Sequence, residues 1–163
     1  ALRLEANLDD AFIHINDQLC ADLPDDRFVT GFFGLLDASE HKVRFHSGGQ
    51  GPIMHYHAAT GTYDWHPATT FPLGYMPQTD LAAPLELQLA PGDILGLISD
   101  GIYEYENEQG VQFGHDGVAR VIDSLPNGSA EAVVEELMRS VREHGGSMPQ
   151  ADDITIVLAR RSR

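Results

Sequence analysis

Apolar residues at the start of the chain recur with the period of a helix. Within the first two dozen positions they stand three or four apart, at Leu4, Leu8, Phe12, Ile15 and Leu19. This spacing places them on one face of an α-helix. Pro24 and the two aspartates after it break the pattern, because proline has no amide hydrogen to continue a helix. We therefore predict one amphipathic helix that ends before Pro24.

Strand patterns fill the middle of the chain. Residues 28–36 are almost all apolar and rich in phenylalanine, which predicts a strand buried on both faces. Short apolar or alternating patterns predict five more strands, over 43–47, 53–57, 62–65, 85–89 and 94–98. Glycine-rich turns separate them, and the Thr60-Gly61 pair predicts a hairpin.

The last third of the chain returns to helical patterns. Residues 113–124 predict one helix, and Ser129 is a favourable N-cap for a second. The second helix has an apolar face made of Val133, Val134, Leu137, Met138 and Val141, and the pair Gly145-Gly146 ends it. A final strand is predicted over 154–158. Because helices and strands are segregated rather than alternating, the pattern indicates an α+β fold of antiparallel strands, and we assign residues 1–163 to one domain.

Charge narrows the range of partners. The chain has 163 residues with 10 Lys and Arg against 25 Asp and Glu, which gives a net charge of −15. Such a surface argues against non-specific binding to nucleic acid or to anionic membranes, and it favours cations. The single cysteine, Cys20, indicates a reducing, cytoplasmic location. No apolar run is long enough to cross a membrane, and the lack of an initial Met indicates a piece of a longer protein.

Two acidic segments lie at predicted strand ends. Asp100 and Gly101 directly follow the apolar strand at 94–98, and Asp152 and Asp153 directly precede the final strand. Carboxylates presented on loops by a rigid sheet are the ligands that Mg²⁺ requires. However, Asp-Gly is a common turn dipeptide. Either segment taken alone is therefore more often a simple turn.

The order of several short motifs makes a more specific case. The segments are FVT at 28–30, SGGQGP at 47–52, FPLG at 71–74, LAPGD at 89–93, ISDGIYE at 98–104, FG at 113–114 and QADDIT at 150–155. This series resembles the bacterial PPM-type (type 2C) serine/threonine protein phosphatases of the SpoIIE and RsbU kind. The resemblance implies an α-β-β-α sandwich of two antiparallel sheets flanked by helices.

The resemblance also implies a chemistry. Family members hold a binuclear Mg²⁺ or Mn²⁺ centre that activates a water molecule for attack on phosphorus. Asp100 and Asp152 match two of the metal-ligand aspartates and are the expected catalytic residues. Gly101, Asp153 and Thr155 match positions that surround those ligands. The upstream aspartate segments of the family have no match in residues 1–27, so the chain resembles the last two thirds of such a domain.

The implied substrate is a phosphoserine or phosphothreonine on a regulatory protein. In this subfamily it is a phosphorylated anti-sigma-factor antagonist with a STAS domain, and an upstream sensor or receiver domain regulates the enzyme. A homodimer is also consistent with the family. The alternative is a catalytically inactive domain that binds a signalling partner or dimerises. The unmatched upstream aspartates favour it only if these 163 residues are the whole natural protein.

Histidines provide a weaker signal. His55 and His57 lie two apart on one predicted strand, so they share a face, and same-face histidines can bind a transition metal. No cysteine or glutamate accompanies them at a fixed spacing. The commoner explanation is therefore that they are surface residues of a strand. His115, at the start of a helix, is expected to be a cap or a solvent contact.

Overall fold

The computed structural model describes residues 7–162. Its elements are α1 (Leu8–Asp22), β1 (Gly31–Asp37), β2 (Lys42–Gly48), β3 (Ile53–His57), β4 (Thr62–His66), β5 (Leu85–Gln88), β6 (Ile94–Ile98), α2 (Asp100–Tyr103), α3 (Gly114–Ser124), α4 (Ala130–Gly145) and β7 (Ile156–Arg160). The strands form two sheets, and all of their pairings are antiparallel. The predicted α+β class, with two antiparallel sheets and flanking helices, is confirmed. Within residues 7–162, no helix has the length and apolar character needed to span a bilayer.

The first compact unit consists of Ala1–Gly51 and Pro67–Leu89. It contains a three-stranded sheet in the order β1-β2-β5, together with α1. The Asn7 side chain caps α1 by accepting a hydrogen bond from the Asp9 amide. The Phe12 ring is fully buried and packs edge-on against Phe33 at 5.5 Å. The predicted amphipathic helix is thus confirmed over residues 8–22, while Leu4 lies outside the described residues.

Strand β1 differs from its prediction. The apolar run at 28–36 was expected to be buried on both faces, but the second half of β1 is exposed, and Leu36 retains 64% of its accessible surface. The faces of a strand are buried only where other elements pack over them, and little packs over this half of β1 among the described residues. Within residues 7–162 it pairs only with β2, so it is an edge strand. Sequence hydrophobicity reports the composition of a strand and does not report how many neighbours cover it.

The second compact unit consists of Pro52–His66 and Ala90–Arg163. Its four-stranded sheet has the order β4-β3-β6-β7, and α2, α3 and α4 lie on one of its faces. Alternate residues of the central strands form a common core with the helices. Its members include Met54 and Tyr56 from β3, Ile94 and Ile98 from β6, Ile122 from α3, and Leu137 and Val141 from α4. Strands β3 and β6 begin and end where the sequence predicts.

The ends of the last elements are set by specific contacts. Ser129 caps α4 as predicted, since its hydroxyl accepts a hydrogen bond from the Ala132 amide at 3.1 Å. Gly146 follows the helix with φ of 60°, a left-handed conformation that favours glycine. Strand β7 begins at Ile156, two residues later than predicted. The backbone of Thr155 is instead bonded to Ser99, at the end of the neighbouring strand.

Candidate active site

The four-stranded sheet brings the two acidic segments to the same end. Strand β6 ends at Ile98, and Asp100 follows two residues later. Strand β7 runs antiparallel to β6, with Ile98 paired to Ile156, so the residues just before β7 lie beside the residues just after β6. Asp100, Asp152 and Asp153 are all exposed there. The architecture therefore joins segments that are 52 residues apart in sequence.

Gly101 shows how closely these segments approach. A methyl group on its α-carbon would lie 2.4 Å from the carbonyl oxygen of Asp153 and 3.3 Å from that of Asp152. Both distances are to backbone atoms, which cannot rotate out of the way. Gly101 itself is buried, in the four-residue helix α2 that begins at Asp100. The site thus requires glycine at this position so that the two acidic loops can touch.

Ser99 joins the two loops by hydrogen bonds. Its hydroxyl donates to the Asp153 carbonyl at 3.0 Å and accepts from the Thr155 amide at 2.9 Å. Its own amide donates to the Thr155 carbonyl at 3.0 Å. Ser99 is thus a positioning residue that the sequence did not single out. The available signal was a hydroxyl residue between an apolar strand and the Asp-Gly pair.

The other predicted residues occupy defined places around the two aspartates. The Asp152 carboxylate accepts a hydrogen bond from the Asp153 amide at 2.7 Å, which orients it, and Asp100 accepts from the Gly101 amide at 3.0 Å. Thr155 contributes backbone hydrogen bonds to Ser99. Its place in the surroundings of the metal ligands, which the family resemblance implies, stays a prediction.

A small cleft lies beside this corner of the sheet. Its volume is about 320 Å³, and its lining includes three acidic residues, Asp152, Glu104 and Glu106, as well as Gly101. Exposed carboxylate oxygens are hard donors of the kind that Mg²⁺ and Mn²⁺ accept. Among residues 7–162, however, neither Asp100 nor Asp152 belongs to a group of three or more acidic or histidine side chains whose ligand atoms lie within 4.8 Å of one another. The described carboxylates therefore fit part of a metal centre.

Aromatic residues support α2 from the helix side of the sheet. Tyr103 is buried, and burial raises the pKa of its hydroxyl. That hydroxyl has no hydrogen-bond partner among the described residues. Trp65 packs edge-on against Tyr103, and His115 stacks on Trp65 with ring centroids 4.3 Å apart. His115 is thus exposed, as the solvent-contact alternative predicted, and it stacks on Trp65; the N-cap of α3 is Phe113 instead.

A second group of ionisable residues lies on the opposite face and toward the opposite end of the same sheet. His55 is only 3% exposed, and its Nε2 lies 3.3 Å from Asp93 Oδ2. His57 Nε2 lies 2.8 Å from Asp64 Oδ2. Burial, followed by the nearby His57, lowers the pKa of His55, and the hydrogen bond from His57 lowers the pKa of Asp64. The expectation that both histidines are surface residues is therefore wrong for His55.

Comparison with known proteins identifies the family. The family model described as stage II sporulation protein E (SpoIIE) matches residues 1–162. The solved SiaA-PP2C domain of Pseudomonas aeruginosa is 20% identical, with a TM-score of 0.73, over 96% of this chain and 67% of its own. The PP2C phosphatase domain of SpoIIE from Bacillus subtilis, solved with a fragment of its regulatory domain, is 22% identical with a TM-score of 0.74. That match covers 94% of this chain and 44% of the solved one.

A further structure of the Bacillus subtilis SpoIIE phosphatase domain, presoaked with Mn, is 23% identical with a TM-score of 0.67. It is matched over 99% of this chain and 69% of its own. The chain thus spans about two thirds or less of the length of these solved chains. A comparison with curated proteins finds no match. The match along almost the whole sequence and the shared fold lead to one conclusion: the chain belongs to the SpoIIE family and has the fold of the solved PP2C phosphatase domains.

Proposed function

We propose that this domain catalyses the metal-dependent hydrolysis of phosphoserine or phosphothreonine on a regulatory protein. The observation that carries the proposal is the close contact at Gly101, where the loop of Asp100 meets the backbone of Asp152 and Asp153. The motif resemblance assigns these aspartates to the family's ligand positions, and the match of residues 1–162 to the SpoIIE family model supports that assignment.

Each residue has a distinct task in this proposal. Asp100 and Asp152 hold Mg²⁺ or Mn²⁺ through their exposed carboxylates, with Asp153 beside them. A metal held there would supply a water molecule of lowered pKa and positive charge beside the phosphoryl oxygens. Ser99 and Gly101 fix the distance between the two loops, because one bonds to both strand ends and the other leaves room for their contact.

The complete centre requires ligands beyond these two. A binuclear site needs carboxylates that reach both ions, and the described residues offer no group of three around Asp100 or Asp152. We expect the family's upstream aspartate segments to supply the remaining ligands in a longer chain. The 163-residue chain should therefore bind the metal weakly and hydrolyse phosphate esters slowly.

The proposed substrate is a phosphorylated anti-sigma-factor antagonist with a STAS domain. The resemblance to the SpoIIE and RsbU phosphatases supports it, as does the open position of the aspartates. Asp100 and Asp152 are exposed at a sheet edge, so a phosphoserine on the surface of a folded protein can reach them. We also propose that an upstream sensor or receiver domain controls the activity, and that the reaction takes place in the cytoplasm.

A second candidate function is partner binding without catalysis. Among residues 7–162 the ligand group around Asp100 and Asp152 is incomplete, which favours this function if no upstream segment completes the site. Under this alternative, the domain would bind the phosphorylated partner or a second copy of itself and leave the phosphate intact.

The deciding experiment measures the hydrolysis of p-nitrophenyl phosphate and of a phosphorylated STAS protein. It uses a longer chain that includes the upstream segments, with Mn²⁺, with Mg²⁺ or with EDTA. We expect turnover only with metal, and a decrease of at least about 100-fold in Asp100→Asn and in Asp152→Asn, since each removes a metal ligand. Asp116→Asn, an exposed change on α3, is the matched control. Full turnover in EDTA would refute the mechanism, and metal-loaded protein that binds the phosphoprotein without turnover would favour the alternative.

A further inference from the structure

Three potential ligand side chains converge on the second group described above. One ligand atom each from His55, His57 and Asp64 lies within 4.8 Å of the other two. The His55 and His57 rings have centroids 4.0 Å apart. Among residues 7–162, no other group of three histidine, cysteine or acidic residues has its ligand atoms this close together.

The strand register builds this group. His55 and His57 are two apart on β3, so both side chains lie on the face opposite the helices. Asp64 is the direct partner of His55 on the neighbouring strand β4. Directly paired residues on antiparallel strands have neighbouring side chains on the same face. The three ligands therefore belong to one rigid hairpin, which holds them without a flexible loop.

Asp93 holds His55 in one orientation. The Asp93 carboxylate is only 2% exposed, and it accepts hydrogen bonds from the amides of Ala58 and Ala90, each at 2.8 Å. It also lies 3.3 Å from His55 Nε2. Because an ionised carboxylate only accepts hydrogen bonds, the proton of a neutral His55 lies on Nε2. The lone pair is then on Nδ1. A buried carboxylate that fixes the tautomer of a histidine is the usual support for a metal ligand.

A second observation points to the same face. His66 lies two residues beyond Asp64 on β4, and its Nε2 is buried without a hydrogen-bond partner among the described residues. Buried polar atoms are normally paired. The unpaired nitrogen of His66 indicates that the polar side chains on this face do not satisfy all of their hydrogen-bonding atoms among themselves.

We propose that His55, His57 and Asp64 form a binding site for a divalent transition-metal ion, with Zn²⁺ as the expected ion. Two imidazoles and one carboxylate are a ligand set that Zn²⁺ uses, with water in the fourth position. The same set is a poor choice for Mg²⁺, which prefers oxygen ligands. Asp93 is a positioning residue in this site, since it acts through His55.

The site is distinct from the proposed catalytic centre. Asp93 directly precedes β6 and Asp100 follows it, so the length of that five-residue strand separates them, roughly 17 Å at about 3.4 Å per residue. The two places also differ in chemistry, because one offers carboxylates and the other imidazoles. Zn²⁺ binding at this site does not depend on the proposed phosphatase activity, and it is tested by measuring metal binding instead of turnover.

The test uses the untagged 163-residue chain, stripped of metal. Zn²⁺ affinity is measured by competition with a chromophoric chelator, and Co²⁺ serves as a spectroscopic probe of a tetrahedral site. We expect one Zn²⁺ per chain and visible Co²⁺ absorption that Zn²⁺ abolishes. His57→Gln and Asp64→Asn should each weaken Zn²⁺ binding by about 100-fold, since loss of even an outer partner costs about 10- to 100-fold.

Two variants serve as controls. His14→Gln changes an exposed histidine on α1, and Asp152→Asn changes the proposed catalytic centre, so both should bind Zn²⁺ like the unchanged chain. Circular dichroism checks that each variant is folded. If His57→Gln unfolds the chain, the Zn²⁺ affinity of Asp64→Asn decides, because Asp64 is exposed and its substitution should leave the fold intact. The proposal is overturned if the chain binds no Zn²⁺, if Asp64→Asn binds it with unchanged affinity, or if Asp152→Asn alone abolishes the Co²⁺ absorption.

Discussion

Replacing Gly101 with alanine tests the contact between the two acidic loops. The added methyl group would lie 2.4 Å from the Asp153 carbonyl oxygen and 3.0 Å from its carbonyl carbon. Ordinary contact begins near 3.4 Å, so the loop that carries Asp152 and Asp153 must retreat by about 1 Å. No side chain can absorb this movement, because the opposing atoms belong to the backbone. The hydrogen bonds from Ser99 to the same loop resist it.

The structure sets the expected size of the effect. Overpacking of this kind costs about 1–3 kcal/mol of unfolding free energy. The better helix propensity of alanine offsets at most about 1 kcal/mol in the short helix α2. We therefore expect a net loss of about 1–2 kcal/mol. A displacement of 1 Å at a catalytic group can cost about 100-fold in rate, so metal-dependent turnover in the longer chain should decrease by about that factor.

Urea unfolding of the 163-residue chain measures the first effect, and the phosphatase assay on the longer chain measures the second. Gly34→Ala is the matched control, because its methyl group would meet the ring of Phe32, a side chain that can move. The control should change the unfolding free energy by less than about 1 kcal/mol. An unchanged urea midpoint in Gly101→Ala would show that the loops are not in the contact described.

Two further substitutions test the surroundings of the site. Tyr103→Phe should raise the unfolding free energy by about 1 kcal/mol, because it removes a buried hydroxyl without a partner. Burial raises the pKa of Tyr103, so the unfolded chain loses the phenol proton at a lower pH than the folded chain does. The unfolding free energy of the unchanged chain should therefore fall as the pH rises above the ordinary pKa near 10, and the advantage of the variant should grow there in urea unfolding. A variant less stable than the unchanged chain would contradict this reasoning. Ser99→Ala should cost about 1 kcal/mol in the same assay and weaken Mn²⁺ binding in the longer chain, whereas the exposed Ser162→Ala should do neither; equal effects from both would remove Ser99 from the site.

Much of the fold could be predicted because its signals are local. Strand β6 is a short apolar run between a turn and an Asp-Gly pair, and α4 has a serine cap and a terminal glycine. Local patterns could not predict how much of β1 is buried, since that depends on which elements pack over its faces. They also missed the start of β7, because the Ser99 side chain, 56 residues away, holds Thr155 in the loop.

The candidate site divides in the same way. The Asp100 and Asp152 positions followed from motif order, yet their meeting depends on the pairing of β6 with β7, which no local pattern encodes. The roles of buried polar residues were equally invisible. Asn16 lies on α1, and only the fold shows that its side-chain amide donates to the Met76 carbonyl and accepts from the Gly74 backbone amide, each at 3.1 Å. Such contacts join residues about 60 positions apart.

The exposed edge of β1 has a consequence for how copies of this chain behave in solution. Within residues 7–162 no strand lies on the outer edge of β1, and a strand edge with apolar side chains such as Leu35 and Leu36 is a template for adding a strand from another molecule. The net charge of −15 opposes this at neutral pH, because like-charged molecules repel. That repulsion vanishes near the isoelectric point of about 4.6. The net negative charge of the chain thus opposes association between copies, and mild acidification removes the electrostatic repulsion that keeps their β1 edges apart.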